Sequence, residues 1–397
     1  MILVVIAVIG IVGLLVWRFL ASSGVPVPLF PGTKTSSYDS DFAKQYPCTE
    51  RDVTFTSPPM KMEELGYIRP LGAMLDGHVT PTDHVYVGPI DSNVPDNTYP
   101  VLMPADGTVI AVGRMPDQYI GDMNGVSLPV EDHRMTVSFN CRYYSIFIHI
   151  HKLSDPVKAA VGQLQANENK MVSVELKAGD PIGYIGGSTF DWTPLDVSKQ
   201  LTGFISPELY KTESWKIHTV SPFDWYEGEL KAQLEAKSWR TKDPIGGRID
   251  YDVAGSLQGN WFREGTNGYE GANRERYWDG HLSVVPDYLD PDYSVVSIGN
   301  WDGKATQLVV AEMVNLDEIT ASDGIVTFEL AKLSYTGGLA EREASIKMER
   351  HPDISGEVVG SISFQVLDGE KLKVEKFIGK RASEVTGFTS AAQTYER

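Results

Sequence analysis

Between residues 50 and 220, apolar and polar positions alternate in short runs: VTFT at 53–56, HVYVG at 84–88, TVIAVGR at 108–114, MTVSF at 135–139, YYSIFIHI at 143–150, VSVEL at 172–176 and PIGYIG at 181–186. Pro, Gly, Asp or Asn bounds each run, the signature of antiparallel strands. Ser221, Pro222 and Asp224 then make a helix start, and Tyr226, Leu230 and Leu234 recur every four residues, which predicts a linking helix within 221–244. Strands resume after 245 with LSVVP, YSVVSIG, TQLVVAEMV, GIVTFELAKL, GSISFQVL and KLKVEKFIG. Asp368-Gly369 between the last two is a hairpin turn signal. The expectation for 245–397 is an antiparallel sheet or a small barrel, and for the whole chain a mainly β fold. The charged stretch 335–352 reads as a loop or short helix between strands.

The pattern differs at the N-terminus. Residues 1–17 carry no charged or strongly polar side chain, and with Phe19 and Leu20 the run approaches the length of a membrane-spanning helix. It is read as an N-terminal transmembrane anchor over 1–20, with a secretory signal peptide as the alternative. Residues 21–49, rich in Ser, Pro, Gly and Thr, read as a tether. The anchored reading places the folded part outside the cytoplasm. Arg18, the one nearby charge, argues the other way by the positive-inside rule.

Composition narrows the function. With 53 acidic and 35 basic residues the net charge is −18, so a phosphate backbone is repelled and nucleic-acid binding is not expected. Cys48 and Cys141 fit one disulfide of an exported protein or two unrelated thiols. An envelope polymer or a membrane protein is the expected partner.

Candidate chemistry lies in three segments. In YYSIFIHIH a period of two sets Tyr144, Ile146, Ile148 and Ile150 on one face and Tyr143, Ser145, Phe147, His149 and His151 on the other, so the two histidines project together. His78, Asp83 and His84 add three groups in a turn stiffened by Pro81. Imidazoles with a carboxylate form a usual zinc shell. The ordinary alternative is a set of solvated or core-capping histidines.

The order of these segments resembles the lysostaphin/LytM-type zinc endopeptidases, a family that cleaves peptide cross-bridges of bacterial cell walls. The likeness rests on YPVLMPADGTVIAVG at 99–113, FIHIHKL at 147–153 and VELKAGDPIGYIGG at 174–187. It covers about 77–200 and implies a lysostaphin-type β-domain over 50–220, with His149 matching a catalytic histidine. Two motifs depart from the family. Its His-x-x-x-Asp is not kept, because setting His84 on the Asp leaves Thr80 on the His. Its closing H-x-H falls on STFDWTPLDV at 188–197, where Trp192 and Pro194 stand in place of the histidines and Asp196 matches the terminal Glu. The resemblance therefore implies a degenerate member acting as a binding or structural module, with an accessory subunit of a membrane assembly as one form of that role. A zinc hydrolase would need an improvised set: His78, His84 and Asp191 as ligands, with His149 moving protons or holding an oxyanion.

In the C-terminal part Gly259-Asn260-Trp261 resembles the Gly-x-Trp of lipocalin-like barrels, with Arg397 ending the chain. That resemblance implies carriage of a small apolar ligand. The aromatics Trp261, Phe262, Tyr269, Tyr277 and Trp278 would line a pocket or plug a β-core.

Overall fold

The computed structural model describes residues 52–121, 127–336 and 349–397. The anchor and tether expected over 1–49, Cys48, and most of the charged stretch 335–352 lie outside the described residues. Among the described residues no helix is long and apolar enough to cross a membrane. Cys141 is disulfide-bonded.

The N-terminal half is built from ten strands. In chain order these are β1 (Leu65–Arg69), β2 (Val85–Pro89), β3 (Tyr99–Leu102), β4 (Gly107–Gly121) and β5 (Ser127–Ser138). They are followed by β6 (Tyr143–Ile150), β7 (Lys152–Leu153), β8 (Asn169–Leu176), β9 (Pro181–Ile185) and β10 (Phe190–Asp196). Seven of them form one sheet in the order β1-β2-β10-β6-β5-β4-β8, and β3-β9-β7 form a second. Val85, Val87, Met135, Val137, Phe147, Phe190 and Trp192 on one face of the large sheet share a core with Val101, Leu153, Ile182 and Ile185 of the small one. The opposite face of the large sheet carries a second apolar cluster: Ile110, Tyr144, Ile146, Leu195 and Val197, joined by Ile148 and Trp215.

Three local expectations are corrected. Residues 53–56 form no strand; Phe55 instead sits among Trp192, Trp225, Tyr226 and Phe139, with ring centroids 4.8–5.9 Å away. The linking helix is broken in two. Ser221 does cap a start, accepting from the Phe223 N–H, but only a 3-10 turn, Pro222–Trp225, follows. Tyr226 and Glu227 are extended, Gly228 has a φ of +57°, and the α-helix runs only over Gly228–Glu235. A short helix, Asp155–Val161, was not anticipated; Pro156 in its first turn and Ser154 before it were the available signal.

The C-terminal half is a closed eight-stranded antiparallel barrel. Its strands are β11 (Gly259–Arg263), β12 (His281–Pro286), β13 (Ser294–Ile298), β14 (Thr306–Val310), β15 (Val326–Lys332), β16 (Val358–Leu367), β17 (Lys371–Ile378) and β18 (Gln393–Glu396). Each pairs with the next. The ring closes where Phe262 faces Glu396 and Arg263 faces Tyr395, which removes both free edges. The turn at Asp368-Gly369 links β16 to β17 with Leu367 paired to Lys371, and Gly369 and Glu370 take left-handed φ values of +74° and +54°. The interior is filled by side chains, among them Trp261, Leu282, Val296, Phe328, Phe364 and Tyr395. Arg397 lies over the Trp261 ring at 4.0 Å and donates to the carbonyls of Val253, Ser256 and Gln258, plugging one end.

The two halves share packing. Phe262 and Tyr269 belong to the same core as the large sheet, and Tyr210 bridges them with ring centroids at 5.4 and 5.8 Å. The connecting chain is interface filler as much as linker: buried Arg240 donates to the carbonyls of Tyr288, Lys242 and Asp243.

Candidate functional site

On the outer face of the large sheet the pairing of β10 with β2 and β6 sets Asp191 opposite Tyr86 on one side and Ile148 on the other. His84, two residues before Tyr86, reaches the same face by strand alternation. His149 reaches it by a different device. The register of β5 against β6 jumps from His133 facing Ile150 to Met135 facing Phe147, so one extra residue of β6 is accommodated. The extra residue takes a φ of +69° at His149. A non-glycine residue pays about 1 kcal/mol or more for that conformation.

The bulge overturns the expected alternation. Ile150 packs in the inner core with Phe147, while Ile148 stays with the outer cluster. His149 and His151 therefore do not share a site: His151 contacts Asp96 and Ser188 instead.

The remaining groups converge. His84 places Nδ1 3.3 Å from Asp83 Oδ1 and Nε2 3.3 Å from Asp191 Oδ2. His149 places Nδ1 2.9 Å from Asp132 Oδ2 and Nε2 3.4 Å from that same Asp191 oxygen. Asp132 also accepts from Gln118 at 2.9 Å. His78 stands at the exposed rim, its ring 5.6 Å from that of His84. Asp83 is held by Lys216 Nζ at 3.0 Å and by the Trp215 indole N–H at 2.6 Å, both from the 3-10 segment Pro207–His218. Its oxygens are thus engaged, which makes it a support for His84 rather than a ligand. Lys216 also pairs with Glu213 and lies 4.9 Å from the Tyr269 ring, tying the cluster to the barrel half.

Burial opposes every charge here, and the neighbours decide the outcome. Burial disfavours the imidazolium of His84, but Asp191 and Asp83 outweigh it and raise its pKa. In His149 the bonds to Asp132 and Asp191 overcome burial and carry the value up to about 10. Burial would lift Asp191 and Asp83; the cations around them hold both down, Asp83 well below the usual carboxylate range. Lys216 is likewise raised against burial by Asp83 and Glu213. Desolvation by its neighbours lowers His78 to about 4, with His84 and Lys216 adding repulsion.

The resemblance to zinc enzymes makes fit to a metal a question of geometry. Among the described residues no group of three or more His, Cys, Asp or Glu stands ready-made as a metal-holding set, since Asp191 pairs with both rings directly. Two of the donor separations match those around one ion. Ligands of one tetrahedral zinc, at bonds of about 2.0–2.1 Å, lie about 3.3–3.4 Å apart, and the His84–Asp191 and His149–Asp191 separations are 3.3 and 3.4 Å. His84 Nε2 and Asp191 Oδ1, both buried, have no hydrogen-bond partner. Asp132, Lys216 and Trp215 were not anticipated. Asp132 becomes visible only through the bulged register of β5 and β6, and nothing in the local sequence marks Lys216.

No family model matches the chain, and no curated protein does. Among solved structures, the solution structure of lysostaphin aligns over 66% of this chain and 95% of its own, at 10% identity and a TM-score of 0.19. A superposition that loose does not carry a fold or an activity across.

Proposed function

We propose that the chain is a binding module of the cell envelope that takes a divalent cation, zinc by donor chemistry, through His84, His149 and Asp191. One observation carries this reading: both imidazoles give Nδ1 to a carboxylate and turn Nε2 onto a single oxygen of Asp191. Metal-binding histidines are oriented in that way by an outer carboxylate. Lys216 balances the charge of Asp83, Asp132 sets the ring of His149, and loading the ion displaces the protons that the raised imidazole pKa values retain. In this reading residues 1–20 tether the module to the membrane, and an envelope polymer or membrane protein is its partner.

A zinc-dependent hydrolase is the second reading, favoured by His78, an exposed imidazole kept neutral beside the ligand set. A bound zinc would supply Lewis acidity and a more acidic water. The chain's own contribution would be His78 as the proton acceptor at the rim. Carriage of an apolar ligand by the barrel gains no support from its interior, which side chains occupy; the space at its rim is about 190 Å³.

Elemental analysis of the purified full chain after zinc dialysis tests the proposal. About one zinc per chain, lost in a His84→Ala/His149→Ala double variant, is expected. No bound zinc, or zinc retained by that variant, sinks it. Peptide hydrolysis lost in His78→Gln with zinc retained would favour the hydrolase over the binding module.

A further inference from the structure

The histidine that the bulge sends elsewhere belongs to a second constellation. His151 Nδ1 lies 2.5 Å from Asp96 Oδ1, and its Nε2 lies 3.4 Å from Ser188 Oγ. The three side chains come from separate places: the loop between β2 and β3, the residue after β6, and the loop between β9 and β10. The His151 side chain is 0% exposed, so these contacts fix the direction of both ring nitrogens. Gly186 and Gly187 let the two loops close. A Cβ on Gly187 would meet the Ser92 carbonyl oxygen at 1.9 Å, and one on Gly186 would meet the Asp96 backbone at 3.0 Å. A cavity of about 650 Å³ opens beside the group, lined by Asp96 and His151 together with His133, Lys152, Lys158 and Leu164. That volume suits a small organic molecule.

We propose that Asp96, His151 and Ser188 form a nucleophilic triad that hydrolyses a small carboxylic ester reaching the half-buried Ser188 from solvent, the cavity lying behind His151 and Asp96 rather than at the nucleophile. A carboxylate on Nδ1 fixes the tautomer that leaves Nε2 as the base facing the hydroxyl, and the base–nucleophile contact is often loose without substrate. Ser188 Oγ attacks the ester carbonyl as its proton passes to His151 Nε2. The tetrahedral adduct collapses, the C–O bond to the alcohol breaks, and His151 returns the proton to the departing alkoxide. Water, deprotonated by His151, then cleaves the acyl-serine, releasing the acid and restoring Ser188. Asp96 positions the ring. The backbone amides of Ser188 and its chain neighbours are the donors at hand for the oxyanion.

The test uses the full chain with a fluorophosphonate probe and p-nitrophenyl acetate. One covalent adduct per chain is expected, mapped by peptide mass spectrometry to Ser188. Ester turnover should fall by about 100-fold or more in His151→Gln, with Asp96→Asn lowering kcat more than it changes KM. Failure of the wild-type chain to label, or an adduct mapped to another residue, overturns the proposal, and neither result depends on a variant folding. Labelling should persist after chelation, which separates this site from the cation cluster. Loss on chelation overturns its independence.

Discussion

The barrel interior and the outer face of the large sheet are both buried, yet they are built on opposite principles. Inside the barrel, Trp261, Leu282, Phe328, Phe364 and their neighbours come from all eight strands and carry almost no polar atoms. On the sheet, Asp83, His84, Asp132, Asp191 and Lys216 are each less than 9% exposed and are stabilised by one another. An apolar interior tolerates exchange among shapes of similar volume. In a buried charged cluster a single deletion is costly, because the partner left behind must find another counter-charge. The first arrangement makes a fold; the second spends stability on chemistry.

Three experiments bear on that contrast. The largest effect is expected in the barrel, where Phe364→Ala should cost about 3–5 kcal/mol in urea unfolding; a cost near zero would mean that the interior collapses around the gap. Asp83→Asn should cost about 3 kcal/mol, at the low end for a broken buried pair because Glu213 retains Lys216. An unchanged denaturation midpoint would show that the cluster is not a structural unit. The smallest effect concerns the seam between the two regions. His281 packs among Phe262, Tyr269 and Tyr277, and burial, with a lesser push from Lys216, lowers its pKa to about 3. Its native pKa lies below the unfolded value of about 6.5, so its contribution is complete above pH 6.5 and lost as the pH falls toward 3. The melting temperature should therefore drop between pH 7 and 4, and drop less in His281→Gln. Parallel pH curves for the two proteins would remove His281 as the cause.

What the sequence makes legible follows the same divide. Strands are read from alternation in β12, β13 and β16 and in the last part of β5, whose first eight residues (127–134) the pattern misses, and the hairpin at Asp368-Gly369 follows from turn chemistry. The closing strands β11 and β18 are short, and only pairing with each other gives them meaning. β10 was hidden by Pro194. Its position is tolerated because pairing with β2 ends at Trp192; beyond it Pro194 faces Ser145 of β6, and on the other side it only has to accept, through its carbonyl, from the Val220 N–H, so a missing N–H is harmless. Of the site, His78, His84, His149 and Asp191 were within reach as an ensemble, since residue type and segment order suggested them. Asp132, Asp96 and Ser188 were not, because each meets its histidine only through a bulge or a loop closure that no local pattern encodes.

The single left-handed residue in β6 also has a genetic meaning. Two histidines two positions apart in the chain feed two separate sites because the strand carries one residue more than its neighbour. Deleting that residue would restore plain alternation, with Ile148 outside and Ile150 inside as they already are, remove His149 from the cation cluster, and leave His151 in its present register. The length of β6 thus decides whether the sheet face carries the cation cluster, while the His151 group, held by loops, does not depend on it.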